Sequence, residues 1–167
     1  MPSTYEKIQT TTISSATSAI SFTSISSAYT DIILAWAFKS NSSNNPSLRL
    51  TFNGNSTGYS GRQMGGSGAA PVSTNNTSAS FITLSRLAGA PIPSGETAFM
   101  LLHVMDYTNS SKYKSIFCQF NSASTGSELD VGVWANNAAI NRIDIDTSTS
   151  TDFAVGSVIT LYGIKAA

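Results

Sequence analysis

The sequence predicts an all-β protein, and three observations carry that prediction. Apolar residues alternate with polar residues in short runs, and these runs are bounded by Ser, Asn, Gly and Pro. No stretch repeats apolar residues at the spacing of a helix face. The chain has 167 residues without an internal repeat or a composition shift, which suits one domain with a real core. We therefore expect residues 1–167 to form a single β-sandwich or barrel.

About ten candidate strands follow one another along the chain, and eight of them could form two packed four-stranded sheets. The first, 5–12, could belong to an N-terminal arm (1–12) or pair with 19–23 as a hairpin. The strongest core strand of the first half is 31–39, in which Ile32, Leu34, Trp36 and Phe38 share a face. The other candidates are 48–53, 81–87, 97–107, 112–121, the run around Leu129, 139–146 and 156–166.

Three segments depart from simple alternation. The closing strand, 156–166, is mostly apolar on both faces, which predicts a position near the middle of a sheet. The run 97–107 is also apolar on both faces, so it is either central in the sandwich or buried in an oligomer. Residues 55–80 are rich in Gly, Ser and Asn and predict a long loop insertion, anchored by Tyr59, Arg62 and Met64.

The composition excludes several function classes. The net charge is zero and 11% of residues are charged, which argues against an electrostatic nucleic-acid binder and against a polybasic membrane-surface protein. Instead, 29 serines, 19 threonines and 12 asparagines solvate the surface. No apolar run is long enough for a membrane span, and the N-terminus lacks the pattern of a secretory signal. We expect the chain to be made in the cytoplasm.

The residues that could carry chemistry have simpler structural interpretations. His103 is the only histidine and lies in an apolar strand, so we expect a packed or interface histidine and not a member of a catalytic triad. Cys118 is the only cysteine and lies between Ile116 and Phe120, which indicates a small core residue and excludes an intrachain disulfide. We expect no cofactor and no bound metal.

Acidic residues occur in closely spaced pairs, Glu128 with Asp130 and Asp144 with Asp146, and Asp152 lies nearby. This spacing places each pair on one face of a strand, where solvent-facing residues are the simplest interpretation. A glycosidase-type pair across two strands or a calcium site are the alternatives. The chain shows neither a calcium-binding loop nor an aromatic cleft around these acids.

The sequence leaves two orientations open for the Trp134 side chain. If Leu129, Val131 and Val133 face the core, Trp134 points outward with Glu128 and could be a subunit contact or a ligand platform. Alternatively, the strand ends at Val133 and Trp134 folds back over the rim of the core.

Four segments of the sequence resemble a family of tailed-bacteriophage virion proteins, common in phages of cyanobacteria and other aquatic bacteria. The family pattern consists of Y-E-x-I near the N-terminus, Y-T-D before a strand, R-x-x-F-N-G at a turn and a terminal F-x-x-G-S-x-x-T-L-Y-G-I. These positions are Tyr5, Glu6 and Ile8; Tyr29, Thr30 and Asp31; Arg49, Phe52, Asn53 and Gly54; and Phe153, Gly156, Ser157, Thr160, Leu161, Tyr162, Gly163 and Ile164. The terminal motif is the most specific, and residues 61–80 match least.

The resemblance implies a jelly-roll-like antiparallel β-sandwich of about eight core strands that assembles as a homotrimer and has no catalytic residues. It implies a capsid cement (decoration) protein that binds the major capsid protein on the outer surface of the virion shell. The alternative is a tail-fibre or receptor-binding module that recognises host surface glycans. Candidate capsid or subunit contacts are Tyr5, Glu6, Ile8, Tyr59, Arg62 and Trp134.

Overall fold

The computed structural model describes residues 4–39, 47–66, 70–84, 95–124, 126–147 and 153–165. In these ranges the chain forms twelve strands and no helix, so the predicted all-β class is confirmed. No helix in this part of the chain is long and apolar enough to cross a membrane. The strands are β1 (Tyr5–Thr12), β2 (Ala19–Phe22), β3 (Asp31–Phe38), β4 (Leu48–Phe52), β5 (Tyr59–Gly66), β6 (Pro71–Ala79), β7 (Ile82–Leu84), β8 (Ala98–Met105), β9 (Lys114–Ser122), β10 (Gly126–Trp134), β11 (Ile143–Thr147) and β12 (Val158–Ile164).

Two antiparallel sheets pack face to face as a jelly-roll-like sandwich. The large sheet has eight strands in the order β1-β12-β3-β8-β9-β10-β5-β6, and the small sheet has four in the order β2-β11-β4-β7. The sequence predicted two sheets of equal size, so the large sheet is wider than expected. The small sheet packs on one face of the large sheet, and the outer face of the large sheet is exposed on β8, β9 and β10.

The core lies between the sheets and contains two groups of aromatic rings. Trp36, Phe38 and Phe153 pack together, with ring centroids 4.8 to 5.7 Å apart. In the second group, the rings of Tyr59 and Trp134 stack at 6.0 Å, and Phe52 lies 5.6 Å from Trp134. These large side chains fill the space between the sheets, as the hydrophobic effect requires of a domain without a disulfide.

The closing strand is not central, contrary to the prediction. β12 lies second from the edge of the large sheet, between β1 and β3. Ile159 and Leu161 are buried on its inner face, while Val158 and Thr160 on its outer face are half-exposed. Only one face of β12 is covered by the small sheet. A central position in the sandwich therefore does not explain why its outer face also carries apolar residues.

The segment that was predicted to be a loop is a hairpin, and the predicted strand 5–12 is confirmed but lies at an edge of the large sheet. Most of the predicted loop 55–80 is a hairpin, in which β5 pairs with both β10 and β6 and extends the large sheet. The predicted arm 1–12 is, from Tyr5 onward, an edge strand paired with β12. Gly and Asn have low strand propensity, but in β5 the ladder to β10 outweighs that preference.

The orientation of β10 is the reverse of the sequence prediction. Trp134 is 1% exposed and Asp130 is fully buried, whereas Leu129 and Val131 are each 38% exposed. Gly132 also faces inward, where a β-carbon would come within 2.9 Å of the Ile82 side chain. This close approach of the small sheet fixes which face of β10 is inside, and Trp134 is therefore a core residue and not an outward platform.

Side chains from β1, from the segment before β3 and from the residue after β12 contact one another. The Tyr29 ring covers Gly163, and its hydroxyl donates to Glu6 Oε2 at 3.2 Å. Lys165 Nζ lies 2.7 Å from Glu6 Oε1 and 5.6 Å from the centroid of the Tyr29 ring. The hydrogen bond from Lys165 lowers the pKa of the Glu6 carboxyl. These contacts hold the edge strand β1 against its neighbour β12.

Lys114 is fully buried at the start of β9, which is unusual for a lysine. Its ammonium group donates to the carbonyl oxygens of Asn109, Lys112 at 3.1 Å and Asn137 at 3.2 Å. Burial lowers the pKa of Lys114. The side chain thus connects the β8–β9 loop to the loop that follows β10.

We expect Lys114→Met to lower the free energy of unfolding by about 2 kcal/mol, because three backbone carbonyls lose their buried donor. Lys112→Met is the matched control, since the Lys112 side chain is 63% exposed and pairs with Asp106 at the surface. The control should change stability by a few tenths of a kcal/mol. Urea denaturation of the three proteins measures the difference, and equal effects would contradict the role given to Lys114.

Candidate functional site

The outer face of the large sheet carries an unusual amount of exposed apolar surface. Six large side chains from four adjacent strands point away from the core. They are Met64 (50% exposed) on β5, Phe99 (60%) and Leu101 (45%) on β8, Phe117 (39%) on β9, and Leu129 and Val131 (both 38%) on β10. We call this set the apolar outer face.

Strand pairing places five of these six side chains in two rows across the sheet, and Phe99 lies two residues from Leu101 on the same side of β8. In the first row Gln119 pairs with Leu101 on one side and with Leu129 on the other, and Leu129 pairs with Met64. In the second row Phe117 lies between His103 and Val131. Residues paired in this way have β-carbons about 5 Å apart, so the apolar outer face is continuous.

Shallow depressions lie between these side chains. One, of about 470 Å³, is lined from five adjacent strands by residues that include Arg62, Asn75, Met105, Phe117 and Val131. A second, of about 380 Å³, lies over the small residues Ala35 and Ala37 and is bounded by Phe99 and Leu101. A third, of about 300 Å³, lies beside Met64 and Leu129. The face is therefore uneven, with an aromatic ring at the edge of each of the two larger depressions.

Polar groups border the apolar outer face on two sides. His103 Nε2 lies 2.8 Å from Asp31 Oδ2, and the other oxygen of Asp31 accepts from the Asp106 backbone at 2.8 Å. Toward the β1 edge, the hydroxyls of Thr10 and Thr160 lie 3.1 Å apart. A face with an apolar centre and a hydrogen-bonding border has the anatomy of a protein–protein interface.

Only part of the predicted contact set lies on this face. Arg62 is exposed on β5, near one edge of the large sheet. Tyr5 is 57% exposed on β1, at the opposite edge, and pairs with Ile164. The structure does not bring these two together, because β1 and β5 are separated by five strands. The remaining four are Glu6, which is held by Lys165 and Tyr29; Ile8, which is half-buried; and Tyr59 and Trp134, which are buried.

Tyr59 and Trp134 serve the core, contrary to their prediction as contacts. The hydroxyl of Tyr59 accepts from the Phe52 backbone at 2.9 Å and donates to the Asn55 carbonyl at 3.1 Å. Trp134 Nε1 donates to the Thr57 carbonyl at 3.2 Å. Both polar ends are thus used to fix the turn before β5, and neither ring reaches the surface.

Glu128 and Asp130 lie on the inner side of β10, not in solvent as predicted, and are 5% and 0% exposed. Gln63 Nε2 donates to Glu128 Oε1 at 3.0 Å and to Asp130 Oδ1 at 3.1 Å. Thr74 donates in turn to Gln63 Oε1 at 2.9 Å. Both carboxylates have further partners. This buried polar cluster connects β10, β5 and β6, and it lies on the opposite side of the sheet from the apolar outer face.

The other acidic pair lies in the small sheet. Arg142 Nε and Nη2 lie 2.8 Å from Asp144, and burial raises the pKa of Asp146. Glu128 and Asp144 belong to different sheets, so the structure does not form the cross-strand carboxylate pair considered for a glycosidase. In the ranges that the structure describes, no group of three or more His, Cys, Asp or Glu side chains could hold a metal ion. Asp152 lies outside those ranges.

Sequence reasoning missed the residues that form the apolar outer face. Phe117 could have indicated this face. Ile116, Cys118 and Phe120 were predicted to share one side of β9 and are buried, and this leaves Phe117 on the other side. The run 97–107 was a second signal, since it was predicted to be central in the sandwich or covered in an oligomer. In the structure β8 does lie in the middle of the large sheet, but only its inner face is covered, and Phe99 and Leu101 on its outer face are exposed in the single chain.

Comparisons with known proteins add little to this picture. No protein-family profile matches the chain, and no curated protein matches it. Among solved structures, the marine PL-14 alginate lyase from Aplysia kurodai is 11% identical with a TM-score of 0.37, covering 86% of this chain and 72% of that chain. The alginate lyase Aly36B is 12% identical with a TM-score of 0.35, covering 81% of this chain and 68% of that chain. These values are too low to bear on substrate or activity.

Proposed function

We propose that the chain is a virion structural protein, a capsid cement protein that binds the outer surface of an assembled phage shell and stabilises it. The observation that carries the proposal is the apolar outer face. It offers Phe, Leu, Val and Met side chains across four strands, with Arg62 as the charged residue lining its largest depression. A surface of this kind suits a protein partner, because its gain comes from removing apolar area from water.

The resemblance to phage virion proteins supplies the kind of partner, the major capsid protein. A cement protein that binds the expanded shell and not its precursor stabilises the expanded state by mass action. Repetition of the same weak contact over the shell adds avidity. The zero net charge of the chain fits this role, since many copies can crowd on one shell without mutual repulsion.

The test uses phage shells that lack the protein. Purified protein should co-sediment with expanded shells and not with precursor shells, and it should raise the temperature at which the expanded shells open. Bound copies should number on the order of hundreds per particle, because a shell repeats its binding site by symmetry. Failure to bind either form of the shell would contradict the proposal.

A receptor-binding module for host glycans is the second candidate, and the largest depression favours it. Arg62, Asn75 and Asn76 line that depression together with the ring of Phe117, which gives hydrogen-bonding groups beside an aromatic surface. This candidate predicts binding to a panel of host glycans and loss of that binding in Phe117→Ala. It also predicts a few copies per virion, located on the tail.

A further inference from the structure

The sequence contains a single Asn-Gly dipeptide, Asn53-Gly54, at the turn after β4. The side-chain Cγ of an asparagine is open to attack by the backbone nitrogen of the next residue, and glycine hinders this attack least because it has no side chain. The attack forms a bond between Gly54 N and Asn53 Cγ, and the amide proton of Gly54 leaves with the side-chain NH₂ group as ammonia. Water then opens the resulting succinimide ring to aspartate or to isoaspartate, in which the main chain runs through an additional methylene group.

In the folded chain the Asn53 carboxamide is bound by a different loop. Its Oδ1 accepts from the backbone N–H groups of Asn141 and Arg142 at 3.0 and 3.1 Å, and its Nδ2 donates to the Ala139 carbonyl at 2.9 Å. The Asn53 backbone N–H donates to the Arg142 carbonyl at 3.0 Å. The partners of the carboxamide lie 86 to 89 residues away along the chain, so an unfolded chain does not hold the side chain in this way.

The loop that supplies these partners, residues 139–142, is itself attached to the core. Ile140 is 1% exposed, and its backbone N–H donates to the Tyr107 carbonyl at 2.9 Å. The Asn141 carbonyl accepts from the Ile25 backbone at 3.0 Å. Both Tyr107 and Ile25 are buried. The loop therefore cannot move away from the turn without disturbing the packing of the core.

Succinimide formation requires the Cγ of Asn53 to turn toward Gly54 N and come within bonding distance. Because the carboxamide is planar, this rotation breaks its three hydrogen bonds together. The turn itself is fixed by the Asn55 N–H, which donates to the Phe52 carbonyl at 2.9 Å, and by φ angles of 55° and 66° at Asn53 and Gly54. The native fold thus opposes the reaction at a dipeptide whose local sequence favours it.

We propose that Asn53 is a modification site protected by the native fold, whose deamidation requires the 139–142 loop to open and whose product prevents that loop from closing normally. Aspartate at this position has no N–H to donate to the Ala139 carbonyl and places an oxygen against it. Isoaspartate also lengthens the turn. The reaction therefore marks chains that have opened at this end of the sandwich. This inference concerns the isolated chain and does not depend on the capsid proposal.

The first experiment follows Asn53 in the native protein and in guanidinium chloride, at the same mildly alkaline pH and temperature. Trypsin cleavage after Arg49 and Arg62 releases residues 50–62, in which mass spectrometry detects the replacement of the amide by a carboxyl group. We expect conversion in the native protein to be slower by about tenfold or more, because the reactive state is reached only through opening. Gly54→Ala should suppress conversion in guanidinium chloride, since its side chain hinders the attacking nitrogen.

The second experiment tests whether the 139–142 loop provides the protection. Ile140→Ala weakens the attachment of the loop, and Ile13→Ala is the matched control, since both isoleucines are buried. Ile13 donates to Ser157 beside the C-terminal end of β3, whereas Ile140 donates to Tyr107 beside its N-terminal end. At guanidinium chloride concentrations that give the two variants equal free energies of unfolding, Ile140→Ala should convert about tenfold faster than Ile13→Ala.

A native wild type that deamidates as fast as the unfolded chain would overturn the proposal, and equal rates in the two isoleucine variants would overturn the role of the loop. Asn53→Asp supplies the aspartate product directly. It should raise the equilibrium constant for unfolding by about fivefold, and an unchanged stability would contradict the effect given to the product. None of these measurements involves a shell, so this proposal and the capsid proposal fail by different results.

Discussion

Gly163→Ala is expected to lower the free energy of unfolding by about 3 kcal/mol, although it adds only one methyl group. A β-carbon at this position would overlap the Tyr29 ring, which lies flat over the glycine. The clash involves the ring atoms nearest to the Tyr29 backbone, so the ring cannot escape by a small tilt of its outer end. It must leave its site, and its hydrogen bond to Glu6 and its contact with Lys165 are then lost. Urea denaturation gives the magnitude.

A double-mutant cycle with Tyr29→Ala separates this clash from other effects of the substitution. Tyr29→Ala alone removes the ring and is itself destabilising. In that background, Gly163→Ala should be neutral or stabilising by about 0.5 kcal/mol, because alanine loses less backbone entropy than glycine in a strand. Additive effects of the two substitutions would show that the ring does not determine the need for glycine. Gly65→Ala does not serve as a control, since its β-carbon would also meet backbone.

The motif residues of the sequence resemblance turn out to be structural. Asn53 and Gly54 form a turn with positive φ angles of 55° and 66°, and Asn53 Oδ1 accepts from the backbone of Asn141 and Arg142 at 3.0 and 3.1 Å. Ser157 Oγ accepts from the Lys39 backbone at 3.0 Å. A shared pattern of such residues specifies a fold, and this explains why the resemblance could not locate a binding site.

Most strands could be predicted from alternation because one face of each is buried. In β4, for example, Leu48, Leu50 and Phe52 are buried and Arg49 and Thr51 are not, as predicted. The hairpin β5–β6 was missed because its Gly, Ser, Thr and Asn residues carry no such signal. Only Tyr59 and Gln63 are buried in β5, and no residue of β6 is. Its position follows from the ladder to β10, which is a long-range contact that local sequence does not encode.

The candidate site was missed for a related reason. Glu128 and Asp130 were assumed to face water, and this assumption placed Leu129 and Val131 in the core. Charged residues are rarely fully buried unless they are paired, and no local pattern indicates their partner Gln63, which is distant along the chain. One buried polar cluster was therefore enough to reverse the assigned faces of a whole strand.

Gln63→Glu is expected to destabilise the chain by about 4 kcal/mol at neutral pH, because it places a third carboxyl against two buried ones. The Gln63 amide donates to Glu128 and Asp130 at 3.0 and 3.1 Å, and the substitution replaces this donor with an acceptor. The change in volume is negligible, so the effect should be electrostatic. Gln9→Glu makes the same substitution at an exposed position of the same sheet, outside the apolar outer face, and should change stability by less than about 0.5 kcal/mol.

The pH dependence of Gln63→Glu tests the cause of the destabilisation. Burial and two neighbouring carboxylates should raise the pKa of the new carboxyl in the folded state above the value of about 4.3 that it has in the unfolded chain. Between these two pKa values the folded state binds more protons, so stability decreases as the pH rises through that window. The difference from wild type should therefore be smallest near about pH 4.5 and grow toward neutral pH. A difference that is the same at all pH values would indicate a loss of packing and not a conflict of charges in the cluster that sets the orientation of β10.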